Sequence, residues 1–532
     1  MPGCCPGPLH GGSLSVVEAR AITLRPVAVS GGIAGQVTSP GRSAPVAARQ
    51  PAREWTAAWL AAGGAVSGGL LFLVARTALT DDSYITLSYA RNLALHGQWA
   101  LVEGISANTA TSPLNVWLLA ALTFLLRAPV LAAGVLLVAT TAATALGLHA
   151  LARDTGLNSW LVPGLGVAVL LTCPLLNSTV GLETYLAVAL MVWLVRSALF
   201  GRWLGVGVLA GLLVLTRPDL VLVDVAVVAL AAGWRRQLWR PLGALVLGAA
   251  VALPWHAFTW WRFGSATSDT LPAKSIAGGW GEWTYVDGLG HYLERWTLAT
   301  SLTLPVLALG LAALVAWVGV AAWQRRLAPA GAAAIALAVG GLADYAGLSA
   351  LQVAPFFWYY GPVLAGLGLC AVVTAAALLR RAPAPGRTAV AAVAAVVVLA
   401  GGYDVARGVP WDGMAPVRIN WATPAEYQAI ADGLPRGAAV ESPGEVGTIA
   451  FFCNCPVVDY LADPGRMRPY VEEYRARHPG PPWSWNYARY DPPAPVPATW
   501  RVVYEPTAPD GPGQWPTTFP ADRTKRMRLE TK

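Results

Sequence analysis

The sequence predicts an all-α polytopic membrane protein that ends in a smaller α/β domain. Three observations predict it. Hydrophobic residues make up 55% of the chain and charged residues 12%, against about 25% charged in ordinary soluble domains. Long apolar runs recur up to residue 406, and a membrane span needs about 20 mostly apolar residues. After residue 407 Pro, Trp, Asp, Glu and Arg rise and no further span follows. The formal charge of +8 does not indicate a nucleic-acid partner. The arginines are scattered through short loops between apolar runs, where cations mark the cytoplasmic side of a bilayer.

The elements follow in order. Residues 1–54 carry five Arg with Pro, Gly and Ser. No apolar core follows these charges closely, as a cleaved signal peptide would require, so a disordered cytoplasmic tail is expected. Residues 55–407 form the transmembrane part. Its apolar runs lie near 55–79, 114–127, 129–152, 159–176, 182–199, 203–215, 219–233, 241–258, 300–322, 328–350, 357–380 and 387–406. The clusters Trp234-Arg235-Arg236, Gln324-Arg325-Arg326 and Arg380-Arg381 belong inside. Loops 80–113 and 259–299 and everything after 407 then lie outside. An inside start and an outside end require an odd number of crossings. Eleven is the expectation, because 114–127, 203–215 and 219–233 are short for a span; which short run fails to cross stays open.

Residues 408–532 read as an extracytoplasmic α/β domain. Thr423-Pro424-Ala425-Glu426 is a helix start: N-cap Thr, Pro at the first helical position, Glu three residues after the cap. Ala438–Glu441, Val457–Tyr460 and Trp500–Tyr504 are strand-like, and Glu445–Phe452 suits a short helix after the Ser442-Pro443-Gly444 turn. No glycine-rich phosphate-binding motif is present there, so no nucleotide site is indicated. The six cysteines suggest no framework. Cys4 and Cys5 lie in the tail, Cys173 and Cys370 in apolar runs, and Cys453 and Cys455 are too close in sequence for a relaxed bridge.

Chemistry is expected first at Asp81 and Asp82, adjacent carboxylates that follow the first apolar run. Tyr84, Leu87 and Arg91 then share one helical face, which puts both carboxylates at a helix N-terminus, where negative charge is favoured. Adjacent like charges raise one pKa, and a raised carboxylate is a better general base. The second outer loop supplies Arg262 and Lys274, with His256 beside three tryptophans, Trp255, Trp260 and Trp261, that suit an interfacial belt. Lys274 is one of only three lysines. Outer cations at head-group level need an anionic partner, for which a lipid phosphate is suited. Glu183, Arg217, Asp219, Asp224 and Asp344 lie in or beside apolar runs. Ionisable groups at depth are costly and mark a site or a paired contact.

Taken in order, these segments resemble the GT-C superfamily of polytopic glycosyltransferases, most of all the terminal β-arabinofuranosyltransferase type of cell-wall arabinan synthesis. The resemblance rests on Asp81 to Leu93, Gly181-Leu182-Glu183-Thr184, Arg217-Pro218-Asp219, Phe263-Gly264 with Ser268 to Lys274, and Glu445-Val446-Gly447 with Val457-Val458-Asp459 and Asp463-Pro464. It covers most of residues 55–465. The chain departs at Ser88, where the family shows arginine, at Ser268-Asp269-Thr270, where it shows Pro-Asn-Thr, and over Glu103–Pro113.

The resemblance implies transfer of a sugar, such as arabinofuranose, from a polyprenyl-phosphate donor to a cell-envelope glycan on the outer face of the membrane. It implies Asp81 as general base with Asp82 beside it. Lys274, Arg262, Arg91 and His256 would serve the donor phosphate. Glu183, Arg217, Tyr359 and Tyr360 are further candidates. No cofactor is certain and a divalent metal stays open. The rival class is a transporter or flippase for a lipid-linked sugar, which shares the scaffold and the buried charges but more often shows internal repeats.

Overall fold

The computed structural model describes residues 52–532 apart from 278–279, 326, 412, 414, 443, 506–513 and 518–525. The predicted tail up to residue 51 and the tail cysteines therefore lie outside the described residues, as do Arg326 and Pro443, while residues 52–54 begin the first helix.

The helices are α1 (Ala52–Ala75), α2 (Asp81–His96), α3 (Pro113–Leu126), α4 (Pro129–Thr155), α5 (Leu161–Thr172), the single turn α6 (Pro174–Asn177), α7 (Thr184–Leu199), α8 (Trp203–Thr216), α9 (Val221–Arg235) and α10 (Trp239–Phe263). There follow α11 (Thr270–Ala277), α12 (Gly288–Arg295), α13 (Thr297–Gln324), α14 (Pro329–Ala350), α15 (Gly361–Arg381) and α16 (Pro383–Ala406). Among the described residues seven helical segments are long and apolar enough to cross a membrane: Trp55–Ala75, α4, α10, α13, α14, Phe357–Arg381 and α16. The chain is a multi-pass membrane protein in this sense. Helices α3, α5, α7 and α8 are shorter apolar pieces. At about 1.5 Å per residue the 14 residues of α3 and of α8 fall short of a hydrocarbon core about 30 Å thick. The run 159–176 is cut at Cys173, which adopts an extended conformation ahead of Pro174, because the proline ring disfavours the helical region for the residue before it.

Helix α15 is the buried axis. Most of its side chains are covered, and it packs on α14, α13, α16 and α5. Its approach to α14 is close: a Cβ on Gly366 would stand 2.4 Å from the Leu337 carbonyl oxygen. By contrast, exposed apolar side chains such as Val315, Val318, Val398 and Leu399 cover α13 and α16, as suits helices that face lipid.

Two sequence expectations are corrected here. The run ending near 258 continues as helix α10 to Phe263, so His256 and Arg262 sit on its last turns and not on a loop. Pro254 is accommodated inside the helix, and Gly264 ends it in the left-handed conformation (φ 82°), which glycine adopts without strain. Cys453 and Cys455 are joined by a disulfide. Asn454 between them takes a left-handed φ of 47°, and the two Cα atoms stand 5.1 Å apart, inside the bridging range. The tryptophans of α10 also do more than line a membrane surface. Trp255 packs on Trp99 and Trp117 with ring centroids 4.5 and 5.0 Å away, and Trp260 stacks on Trp485 at 5.0 Å.

The C-terminal region holds α17 (Pro424–Asp432), α18 (Gly447–Cys453), α19 (Pro464–Arg477) and α20 (Pro481–Asn486). The predicted capping box is present: the Thr423 hydroxyl accepts from the Glu426 backbone N–H at 3.2 Å, and the Thr423 N–H donates to Glu426 Oε2 at 2.7 Å. After α2 a short antiparallel pair joins β1 (Ala100–Val102) and β2 (Ile105–Ser106). In the C-terminal region strands β3 (Val440–Glu441), β4 (Trp500–Glu505), β5 (Gln514–Pro516) and β6 (Arg526–Thr531) form a mixed sheet in the order β3-β4-β6-β5. Only β3 and β4 are parallel. The predicted strand at 457–460 is reduced to one parallel bridge from Val457 to Val440. Strands β5 and β6 were not expected.

Candidate active site

A cavity of about 430 Å3 opens where several helices begin or end beside the C-terminal region. Helix α2 gives it Asp82 and Thr86, the start of α7 gives Glu183, and the turn between α8 and α9 gives Arg217 and Asp219. The segment 267–275 contributes Ser268, Thr270 and Lys274, the approach to α15 contributes Trp358 and Tyr359, and Leu461 closes the wall from the C-terminal region. Much of the remaining lining is aliphatic, including Leu182, Val221, Leu222 and Leu348.

Its charges fall into two groups. At one end, Lys274 Nζ donates to the Tyr359 hydroxyl at 2.9 Å. It lies 5.4 Å from the Phe356 ring centroid and 5.3 Å from that of Tyr359, an aromatic cradle that attracts a cation. Burial disfavours the ammonium, but Tyr359 and Asp82 outweigh it and the pKa of Lys274 lies above its ordinary value. Burial pushes the Asp82 carboxyl up to about 7; Lys274 pulls it down, while Asp81 and Glu183 push it further up. At the other end, the buried Arg217 guanidinium is ringed by carboxylates. Its Nε donates to Asp219 Oδ1 at 3.2 Å, its Nη2 pairs with Asp219 Oδ2, and Asp344 and Glu183 follow at 3.9 and 4.0 Å. Its carbon stands 5.0 Å from the Tyr359 ring centroid, so one tyrosine touches both cations.

The structure brings together Asp82, Glu183, Arg217, Lys274 and Tyr359 from the sequence candidates, and it leaves the others outside the cavity. Asp81 turns away: its Oδ2 accepts from the backbone N–H groups of Val446 and Gly447 at 3.2 and 3.1 Å. Its Oδ1 accepts from the Thr448 N–H and hydroxyl, both at 2.8 Å. With these lone pairs taken, Asp81 is not placed as the base, and the reason is local. Successive residues of a helix point about 100° apart, so the first turn of α2 sends one carboxylate to each side. Arg262 is exposed, its guanidinium 5.4 Å from the Phe263 ring. His256 Nδ1 is hydrogen-bonded with the Ala266 carbonyl at 2.7 Å. Arg91 donates to the Phe451 carbonyl at 2.8 Å and to Asn454 Oδ1 at 3.1 Å. The Tyr360 hydroxyl donates to the Tyr285 carbonyl at 2.6 Å. Asp224 is buried in α9, its carboxylate oxygens without a hydrogen-bond partner among the described residues.

Asp219, Ser268, Thr270, Trp358 and Leu461 were not among the chosen site residues. Asp219 was conspicuous next to Arg217, and Ser268 and Thr270 lie in the segment before Lys274; Trp358 and Leu461 carried no signal of their own. Among the described residues no group of three or more His, Cys, Asp or Glu is arranged to hold a metal ion. The carboxylates of Glu183, Asp219 and Asp344 converge on Arg217 instead.

Helices of this length and composition, around a pocket that joins aliphatic walls to paired charges, define a multi-pass membrane protein with a partly polar cavity at one end of its bundle. No protein-family model matches the chain, and no curated protein does. Among solved structures it is similar to ArnT from Cupriavidus metallidurans bound to undecaprenyl phosphate, at 14% identity over 90% of this chain and 98% of that one, with a TM-score of 0.48. The apo state of the same protein matches at 13% identity over 85% and 93%, with a TM-score of 0.47.

Proposed function

We propose that the chain is a GT-C-type membrane glycosyltransferase that moves a sugar from a polyprenyl-phosphate donor to a cell-envelope glycan. The observation that carries this reading is that Lys274 and Asp82 line one large, mainly aliphatic cavity, near enough for the charge of each to act on the other. The aliphatic wall suits a lipid chain. Lys274, a compact charge on a flexible stem, suits the phosphate. A carboxyl with a pKa of about 7 suits proton removal near neutral pH.

In this reading Asp82, and not Asp81, is the general base. Its carboxylate takes the proton of the acceptor hydroxyl as that oxygen bonds to the anomeric carbon of the sugar. The bond from that carbon to the phosphate oxygen breaks, and polyprenyl phosphate leaves with one more negative charge. Lys274 stabilises that charge most in the transition state, which is where an interaction accelerates a reaction. Arg217 shapes the inner end of the cavity. The cavity and the C-terminal region face outward and the N-terminus inward; the eleven crossings would then draw on the shorter apolar helices as well as the seven long ones. Arabinofuranose is the sugar the sequence motifs favour.

The test is single-turnover transfer by purified protein from defined polyprenyl-phosphate sugars, arabinofuranose first. Release of polyprenyl phosphate with a glycosylated acceptor, lost in Asp82→Asn, supports the proposal. Translocation of lipid-linked sugar in vesicles without any cleavage, by wild type and Asp82→Asn alike, would replace it with the flippase reading. Reporter fusions after residue 420 that are active only in the cytoplasm would overturn the orientation.

A further inference from the structure

Helix α18 is fastened to α2 at both of its own ends. At the start of α18 the Asp81 carboxylate accepts the four hydrogen bonds from Val446, Gly447 and Thr448 described above. At its far end Arg91 holds the Phe451 carbonyl and Asn454. A negative charge at a helix N-terminus and a positive one at its C-terminus both suit the helix dipole. Between these points Tyr84 packs against Phe451 and Phe452, centroids 5.1 and 5.3 Å away. The approach is as close as backbone allows: a Cβ on Gly447 would meet the Asp81 carbonyl oxygen at 2.1 Å. Asn420 Oδ1 adds an acceptor for the Asp81 N–H at 3.2 Å.

The first turn of α2 is also tied to the bundle, through the Ser83 hydroxyl, which donates to the Val180 carbonyl at 3.3 Å and lies 3.1 Å from the Thr80 hydroxyl. Its N-cap, Thr80, makes no side-chain capping bond, although an N-cap hydroxyl usually secures that turn. The bonds of the Asp81 carboxylate and N–H all go to the C-terminal region, and the orientation of residues 81 and 82 depends on that region as well as on Ser83. We infer that Asp81 is a positioning residue: by docking on the first turn of α18 it fixes the roll of α2 and so sets where Asp82 stands in the cavity. This rests on the proposed role of Asp82. It makes the C-terminal region part of the active site without giving it a catalytic group. Burial holds the Asp81 carboxyl above its ordinary pKa, and the four donors offset part of that rise. Four donors on two oxygens leave no lone pair for a proton without losing a bond, so the ionised form is the one the geometry holds.

The experiment compares full-length wild type with Asp81→Asn, Thr448→Val and Asp82→Asn. Transfer kinetics, pH profiles and amide hydrogen exchange are measured on the same purified preparations. Asp81→Asn turns an amide N–H2 toward N–H donors, and transfer should fall about 10-fold to 10²-fold through kcat, as expected when one or two hydrogen bonds to a charged group are lost. Asp82 is faced by Lys274 from α11, Glu183 from the start of α7, Tyr460 from the C-terminal region and Asp81 beside it. Of these Asp81 is one that raises its pKa, so the acidic limb of the profile should move to lower pH in Asp81→Asn. Thr448→Val keeps that charge; it should lose activity by a few-fold and leave the limb in place. Exchange should quicken at residues 81–86 and 446–448 in both variants and stay unchanged in α4. Unchanged exchange at those residues in Thr448→Val and in whatever Asp81→Asn folds would overturn the inference. Full transfer by Asp82→Asn would instead overturn the proposed function, and the exchange data would still decide whether Asp81 orders the turn.

Discussion

The two ends of the cavity hold a cation each, and they treat it differently. Arg217 is enclosed by three carboxylates, those of Asp219, Asp344 and Glu183, and is buried with them. Lys274 has a phenol, two aromatic rings and the more distant charges of two cavity carboxylates, Asp82 and Glu183. A buried guanidinium with more than one counter-charge is already neutralised by protein. An ammonium set on aromatic faces keeps its charge available to a ligand anion. The difference teaches that burial of a cation does not by itself mark a binding group; how its charge is spent does.

Each end can be broken separately. The largest effect is expected at the Lys274 end but on its partner. Asp82→Asn should lower transfer by about 10²–10⁴ and leave thermal unfolding in detergent unchanged, since it keeps the shape and removes only the proposed base. Next is the other end, where the loss should be in stability. Arg217→Met leaves three buried carboxylates without their cation, and removing one partner of such a group costs about 3–5 kcal/mol. Recovery of folded, monodisperse protein from Arg217→Met equal to that of wild type would erase the distinction drawn above.

Lys274→Ala should fold normally and lose about 10²-fold in transfer, the scale of one lost donor to developing negative charge. Lys274→Arg should recover part of it. The pH profile sharpens the same comparison. Activity that needs ionised Asp82 should rise as pH passes through about 7. Lys274→Met removes the charge that lowers this pKa, so the acidic limb should shift to higher pH; a limb that stays in place would separate the two residues. The smallest effect belongs to Tyr359→Phe, which removes the bond to Lys274 but keeps the ring. A cost of about 1 kcal/mol, or roughly five-fold in transfer, is expected for one hydrogen bond.

The helices were legible because lipid-facing and core-facing residues alike must be apolar, so the long runs return as helices, the run 159–176 alone of the predicted ones being cut, at Cys173. The end of α10 was not, since His256 and Arg262 after Pro254 read as loop residues and only the left-handed Gly264 shows where the helix stops. Lys274, Glu183, Arg217 and Tyr359 could be singled out because charged or aromatic residues in an apolar setting demand a reason. Choosing between Asp81 and Asp82 was beyond the sequence. The two are neighbours in one helical turn, and what separates them is α18, more than 360 positions further along the chain. The Glu445-Val446-Gly447 segment carried the hint, but as a motif without a partner. In the structure Glu445 accepts from the Tyr427 hydroxyl and the Trp421 N–H, while Val446 and Gly447 donate to Asp81. The bridge between Cys453 and Cys455 was hidden for a related reason, because it depends on the backbone of Asn454 and not on spacing.

The span between Asp81 and its partners has a consequence for how the protein is made. Asp81 leaves the ribosome 365 residues before Val446. At about 5–20 residues per second that is an interval of roughly 20–70 s. Throughout it the helices are being inserted while the carboxylate that will be covered by α18 has no protein donors. Water must serve in their place, so the nascent bundle has to carry that end of α1 out of the hydrocarbon and keep it wet. Inserted helices alone are thus an unfinished receptacle, and the last fifth of the chain to be translated is what completes one of the first turns laid down.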